Sequence, residues 1–121
     1  MHYILLIYTP EANLENLPEK EQVAVYQEYG RLVEELKAKK IYVGGNPLKP
    51  TTTAATVRVR RGKKTVTDGP FAETKEQLGG YFLVDAKDLD EALEIAARIP
   101  GAKEGSIEVR PIQPVGQAQS A

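Results

Sequence analysis

The chain has 121 residues, 16 lysines and arginines against 17 aspartates and glutamates for a formal net charge of -1, and no cysteine. That length suits one ordinary domain, which buries about two-thirds of its unfolded surface around a single core. The near-neutral charge gives no general field for nucleic acid or an anionic membrane, and the missing cysteines exclude a disulfide frame, a thiol nucleophile and a cysteine-ligated metal.

Residues 2 to 8 are β-branched, aromatic or leucine almost throughout, as expected of a central strand covered on both faces. This apolar segment has no basic flank, and no run approaches the roughly 20 residues of a spanning helix. It is therefore read as a strand rather than a signal peptide, with no membrane partner and a cytoplasmic address. Thr9-Pro10-Glu11 ends the strand, and a polar loop leads to Asn16-Leu17-Pro18-Glu19, where Asn16 as cap and Glu19 as its reciprocal partner predict a helix start. Val25, Tyr26, Tyr29, Leu32, Val33 and Leu36 then share an arc of about 120°, which assigns both tyrosines to the core.

Ile41-Tyr42-Val43 forms a second predicted strand, stopped or bent by Gly44-Gly45-Asn46-Pro47. Pro50 to Ala55 reads as a loop or an extended edge. Thr56 to Arg60 and Lys64 to Thr67 alternate with period two around Arg61-Gly62-Lys63, a hairpin with Val57, Val59 and Val66 as its apolar contacts. Arg58, Arg60, Arg61, Lys63 and Lys64 cluster near its tip. One such cluster without a basic excess elsewhere is read as protection of an edge against aggregation, not as a nucleic-acid surface.

Asp68-Gly69-Pro70 forces a corner, since glycine frees the backbone while proline fixes φ and removes a donor. Asp68 is placed to accept amides of its own turn. Thr74 to Gln77 favours one helical turn, Gly79-Gly80 permits close backbone approach, and Tyr81-Phe82-Leu83-Val84 reads as a buried strand. Asp88-Leu89-Asp90-Glu91 is a capping box for a second helix with Leu89, Ala92, Leu93, Ala96 and Ile99 on one face, ended by Pro100-Gly101. Ser106 to Ile112 alternates again, with Ile107 and Val109 on one side and Glu108 and Arg110 on the other. Residues 1–112 thus form the domain, and 113–121 a fraying tail.

Strand, helix, strand, inserted hairpin, strand, helix, strand describes an α+β, ferredoxin-like β-α-β-β-α-β sandwich with a hairpin insertion. Its helix-free face would expose the second sides of two apolar strands, so a homodimer is expected. The stretch from Asp68 to Tyr81 resembles the signature of the DGPF, or YCII-related, proteins. Met1 to Tyr8 and Ile107 to Pro111 are similar to that family's first and last strands. The resemblance implies a dimeric α+β barrel with two sheets packed around an inner space. It also implies an association with extracytoplasmic-type sigma factors and, in some members, a histidine–aspartate acid–base pair, for which Asp68 and the lone His2 are the residues available here.

The inter-sheet cavity is the natural small-molecule site. Asp68 is the catalytic candidate, with Tyr81, Glu73, Glu108 and Arg110 as ligand contacts; Glu108 and Arg110 also fit a simple cross-strand ion pair, and Glu73 a solvated surface role. No metal-ligand spacing, phosphate loop or nucleophile elbow is present, so no metal or cofactor is expected. A dimeric small-ligand-binding module is the leading reading. An enzyme using the same cavity and a regulatory accessory protein remain as alternatives.

Overall fold

A computed structural model describes residues 1–115. Four strands form one antiparallel sheet in the order β2 (Tyr42–Pro47), β5 (Gln77–Asp85), β1 (His2–Thr9), β6 (Ser106–Pro111). Helix α1 (Glu11–Glu15) and helix α2 (Glu19–Ala38) follow β1, and α3 (Leu89–Arg98) follows β5. This is the ferredoxin-like α+β arrangement. The remaining strands, β3 (Ala55–Arg60) and β4 (Lys63–Asp68), form a separate two-stranded sheet.

Alternation along β1 explains why it is central. Tyr3, Leu5 and Ile7 point to the helices and join Phe82, Val84, Leu32, Leu36, Ile95 and Ile99 in the core. Leu5, Val84 and Ile99 are completely buried, each worth about 1.5–3 kcal/mol by removal of apolar surface from water. Phe82 meets the ring edges of Tyr29 and Tyr42 at centroid distances of 6.3 and 5.9 Å. The Tyr29 hydroxyl leaves this core to accept the Gly101 amide at 3.1 Å, while burial raises its pKa against that bond. Glu35 of α2 and Arg98 of α3 form an ion pair that clips the two helices together, and Lys39 adds a second cation at 3.6 Å.

Several local expectations give way to tertiary context. The polar stretch after Pro10 forms the short α1, and Asn16 closes that helix instead of capping α2. Pro18 occupies the N-cap of α2 without a side-chain bond. On α2, Leu32 and Leu36 are buried and Val25 and Tyr29 half-buried, but Tyr26, at the edge of the arc, is 53 % exposed; the packed face is narrower than the periodic arc. Strand β2 starts at Tyr42 and continues through the glycines with a register shift between Tyr42 and Gly44. A Cβ on Gly45 would lie 2.7 Å from the Tyr81 carbonyl oxygen, so glycine here permits pairing and does not end it.

Thr51–Thr53 forms a 3-10 turn. Thr74 to Glu76 shows bends rather than a helical turn, and Gln77 already belongs to β5. Of the glycine pair, Gly80 makes the close approach, with its would-be Cβ 3.1 Å from the Asn46 carbonyl oxygen. On α3 the buried residues are Ala92, Ile95 and Ala96, whereas Leu89 and Leu93 are exposed. Asp88 caps α3 as expected, accepting the Glu91 amide at 2.9 Å; the Glu91 carboxylate reaches back one residue further, to the Lys87 amide. The hairpin turns at Arg61-Gly62, both at positive φ (53° and 74°), which matches the twist of the flanking strands. Val57 and Val66 pair across it, but the valine face stays in solvent. Residues 116–121 of the tail expected to fray lie outside the described residues.

Candidate functional site

Two regions bring the candidate residues together. The first is the corner after β4. Gly69, at φ 99°, donates its amide to the Ala54 carbonyl at 2.7 Å, and its own carbonyl accepts the Thr56 hydroxyl at 2.9 Å. These bonds fix the turn. The Asp68 carboxylate accepts none among the described residues, contrary to the expectation that it would hold its own corner, and it is exposed.

Beyond the corner, Gly69, Pro70, Ala72, Glu73, Thr74 and Gln77 face Thr51 and Thr52 across a half-open groove of about 350 Å³. A network that local sequence does not announce frames this groove. The two carboxylate oxygens of Glu11 accept the Thr51 amide at 2.7 Å and its hydroxyl at 2.8 Å. The Glu11 amide donates to Gln77 Oε1 at 3.0 Å, and Gln77 Nε2 donates to the Thr74 carbonyl at 3.0 Å. Glu73 is exposed on the rim, whereas Glu76 accepts the Ser106 hydroxyl at 2.8 Å and ties the loop to β6.

The second region is the sheet face turned away from the helices. Register places its side chains in rows: Leu83, Ile4 and Arg110; Tyr81, Leu6 and Glu108; Leu78, Tyr8 and Ser106. Ile4, Leu6, Tyr8, Leu78, Tyr81 and Leu83 are half-buried, giving an apolar floor. The Tyr81 hydroxyl accepts Asn46 Nδ2 at 2.9 Å. Desolvation raises the Tyr42 pKa, and the nearby Tyr81 adds to it. Glu108 and Arg110 border the floor and lie 3.7 Å apart. They are neighbours along β6, not across strands, and at this distance and exposure their pairing is loose.

His2 does not reach the corner within one chain. It pairs with Asp85, whereas Thr9 at the other end of β1 pairs with Gln77 beside the groove. Seven residues of strand separate those ends by roughly 24 Å. Among the described residues no group of three histidine, cysteine, aspartate or glutamate side chains converges as a metal site, and no helix is long and apolar enough to cross a membrane.

Comparison with known proteins extends this picture. A family model described as YCII-related domain matches residues 1–115. An uncharacterized protein of Rhizobium meliloti is 55% identical over 67 residues, covering 54% of this chain and 54% of that protein, so the match spans about half the length of each. Among solved structures, 5-chloro-2-hydroxyhydroquinone dehydrochlorinase from Burkholderia phenoliruptrix, in complex with 2,5-dihydroxybenzoquinone, aligns over 93% of this chain and 94% of its own with a TM-score of 0.55. At 16% identity that likeness shows a shared fold.

Proposed function

The chain belongs to the YCII-related family, and from that premise we propose that it is a cytoplasmic, homodimeric module that binds a small molecule between two sheets. The observation that carries this reading is the open face, where an apolar floor of Ile4, Leu6, Tyr81 and Leu83 is bordered by Glu108 and Arg110 and left uncovered by the chain's own helices. Packing that face against a second copy removes its apolar surface from water and encloses polar groups in a concave, largely apolar space. Tyr81, Arg110 and Glu108 are the ligand contacts of the floor. Glu73 lines the groove at its end, and Asp68 directly precedes Gly69 of the groove wall.

The reading is tested by light scattering and by titration calorimetry with 2,5-dihydroxybenzoquinone as a planar acidic probe. The wild type should run at twice the 13.3 kDa chain mass. Leu6→Arg should give a folded monomer that no longer binds the probe, and Arg110→Ala a dimer that binds it more weakly. A compact wild-type monomer would refute the reading.

A second reading, a reaction in the same cavity, is favoured by Asp68, which directly precedes Gly69 of the groove wall and whose exposed carboxylate accepts no hydrogen bond among the described residues. A group that supports no local structure is free for proton transfer or ligand contact. Asp68→Asn and Asp68→Ala should both leave stability within about 0.5 kcal/mol of wild type. Lost turnover or binding in Asn then marks a role for the charge, and unchanged binding in both removes Asp68 from the site.

A further inference from the structure

Asn46 is exposed and takes no part in the core, yet its side chain is held in place. It stands directly opposite Tyr81 on the helix-free face, and its amide nitrogen donates to the Tyr81 hydroxyl at 2.9 Å. A phenol has one hydrogen to give and accepts through the lone pairs of its oxygen. The bond from Asn46 therefore engages the oxygen and leaves the hydrogen to be given elsewhere. Among the described residues no acceptor takes it.

The neighbouring position of β2 on that face carries no side chain. Gly44 stands opposite Leu83, about 7 Å from Asn46 along the strand. A Cβ on Gly44 would meet nothing within 4 Å, in contrast to Gly45, whose Cβ would strike the Tyr81 carbonyl and Phe82 on the core side. Glycine within a strand marks a place where another group can come close to the backbone. The β2 side of the floor thus sets a flat opening beside a phenol hydrogen that has no partner.

We propose that Asn46 is a positioning residue that sets Tyr81 to donate, so that the sheet-face site selects flat molecules carrying an acceptor oxygen (a carbonyl, a carboxylate or an ionised hydroxyl). The ring lies over Gly44 and the oxygen takes the Tyr81 hydrogen. The inference rests on the inter-sheet site proposed above. Once a second sheet encloses the floor, the hydrogen is cut off from water, and a ligand without an acceptor leaves it unpaired. Selection then comes chiefly from rejecting such ligands.

The test is titration calorimetry on the full chain with two flat probes of similar outline: 2,5-dihydroxybenzoquinone, ionised at neutral pH so that its oxygens only accept, and 1,4-phenylenediamine, which offers amine donors. Wild type should bind the quinone at least tenfold more tightly than the diamine. Tyr81→Phe should weaken quinone binding at least tenfold. Asn46→Asp, whose carboxylate takes the Tyr81 hydrogen, should weaken it as much, but within the Tyr81→Phe chain the same change should cost no more than about twofold. Charge repulsion alone would cost the same in both chains. Thermal melts and light scattering check that each variant is a folded dimer. Unchanged quinone binding in either single variant, or an equal loss from Asn46→Asp in both chains, would overturn the proposal. A wild-type dimer that binds the quinone no better than the diamine would overturn the acceptor-oxygen class and leave the dimer standing. A monomeric wild type would overturn both this inference and the inter-sheet site.

Discussion

The helix-covered side of the four-stranded sheet and the β3–β4 hairpin are written in the same alternating β-branched code, yet they end in opposite environments. Tyr3, Leu5 and Ile7 are sealed under α2 and α3, while Val57, Val59 and Val66 remain in solvent. Alternation states which side chains share a face. Whether that face is covered depends on what the connecting segments deliver to it: two helices in one case, nothing among the described residues in the other.

The contrast is broken most strongly by truncation. Leu5→Ala should cost about 2–5 kcal/mol, because a completely buried leucine leaves a cavity that the sheet and helices close only in part. Val59→Ala, measured by denaturant at a concentration too low for association, should change stability by no more than about 0.5 kcal/mol. Equal effects would mean that the hairpin is packed in the monomer. Glycine substitutions sharpen the comparison at the next level. Gly45→Ala drives a methyl toward the Tyr81 carbonyl, 2.7 Å from the ideal position, and should cost about 1–3 kcal/mol in chemical denaturation. A neutral result would show that β2 can move off β5.

The smallest effect is electrostatic. The hydrogen bond from Arg98 holds the Glu35 carboxyl below its ordinary pKa, with the Arg98 and Lys39 charges acting in the same direction against some desolvation. The unfolded chain therefore takes up this proton at higher pH than the folded one. The stabilisation is complete above the ordinary carboxylate pKa and is lost as pH falls through the depressed folded value. Glu35→Gln should flatten the fall of melting temperature in that acid window, and salt should shrink the difference, as expected of a solvent-exposed pair. An unchanged acid slope would show that the clip between α2 and α3 contributes nothing. Asp85, held low chiefly by its hydrogen bond from the Met1 amino group, continues the slope in either protein.

The order of the main elements was legible because it rests on local signals: the apolar run of β1, the Asp88 cap, the Arg61-Gly62 turn and the alternation of β6. The covering of those elements was not. Tyr26 and Leu93 lie at the edges of their helical arcs, and only contacts from distant strands decide how much of an arc is buried. The candidate site divides the same way. Gly69-Pro70 announced the corner and the period of β6 put Glu108 and Arg110 on the helix-free face. The frame of the groove joins Glu11 to Thr51, 40 residues away, and to Gln77, 66 residues away. No local pattern marks such partners. Glu11 looked like the end of a strand, and Thr51 like one threonine among three.

The position of β1 in the sheet also has a temporal side. Both neighbours of this strand, β5 and β6, begin at Gln77 and Ser106, so during synthesis the most apolar segment emerges long before either. At about 5–20 residues per second, residues 2 to 9 spend roughly 3–14 s unpaired before β5 begins to appear. The Arg61-Gly62 hairpin needs no distant partner for its backbone bonds and can close within about 1–10 μs of being made. The hairpin can therefore form while β1 still waits, and the strand that waits longest takes a central place in the sheet.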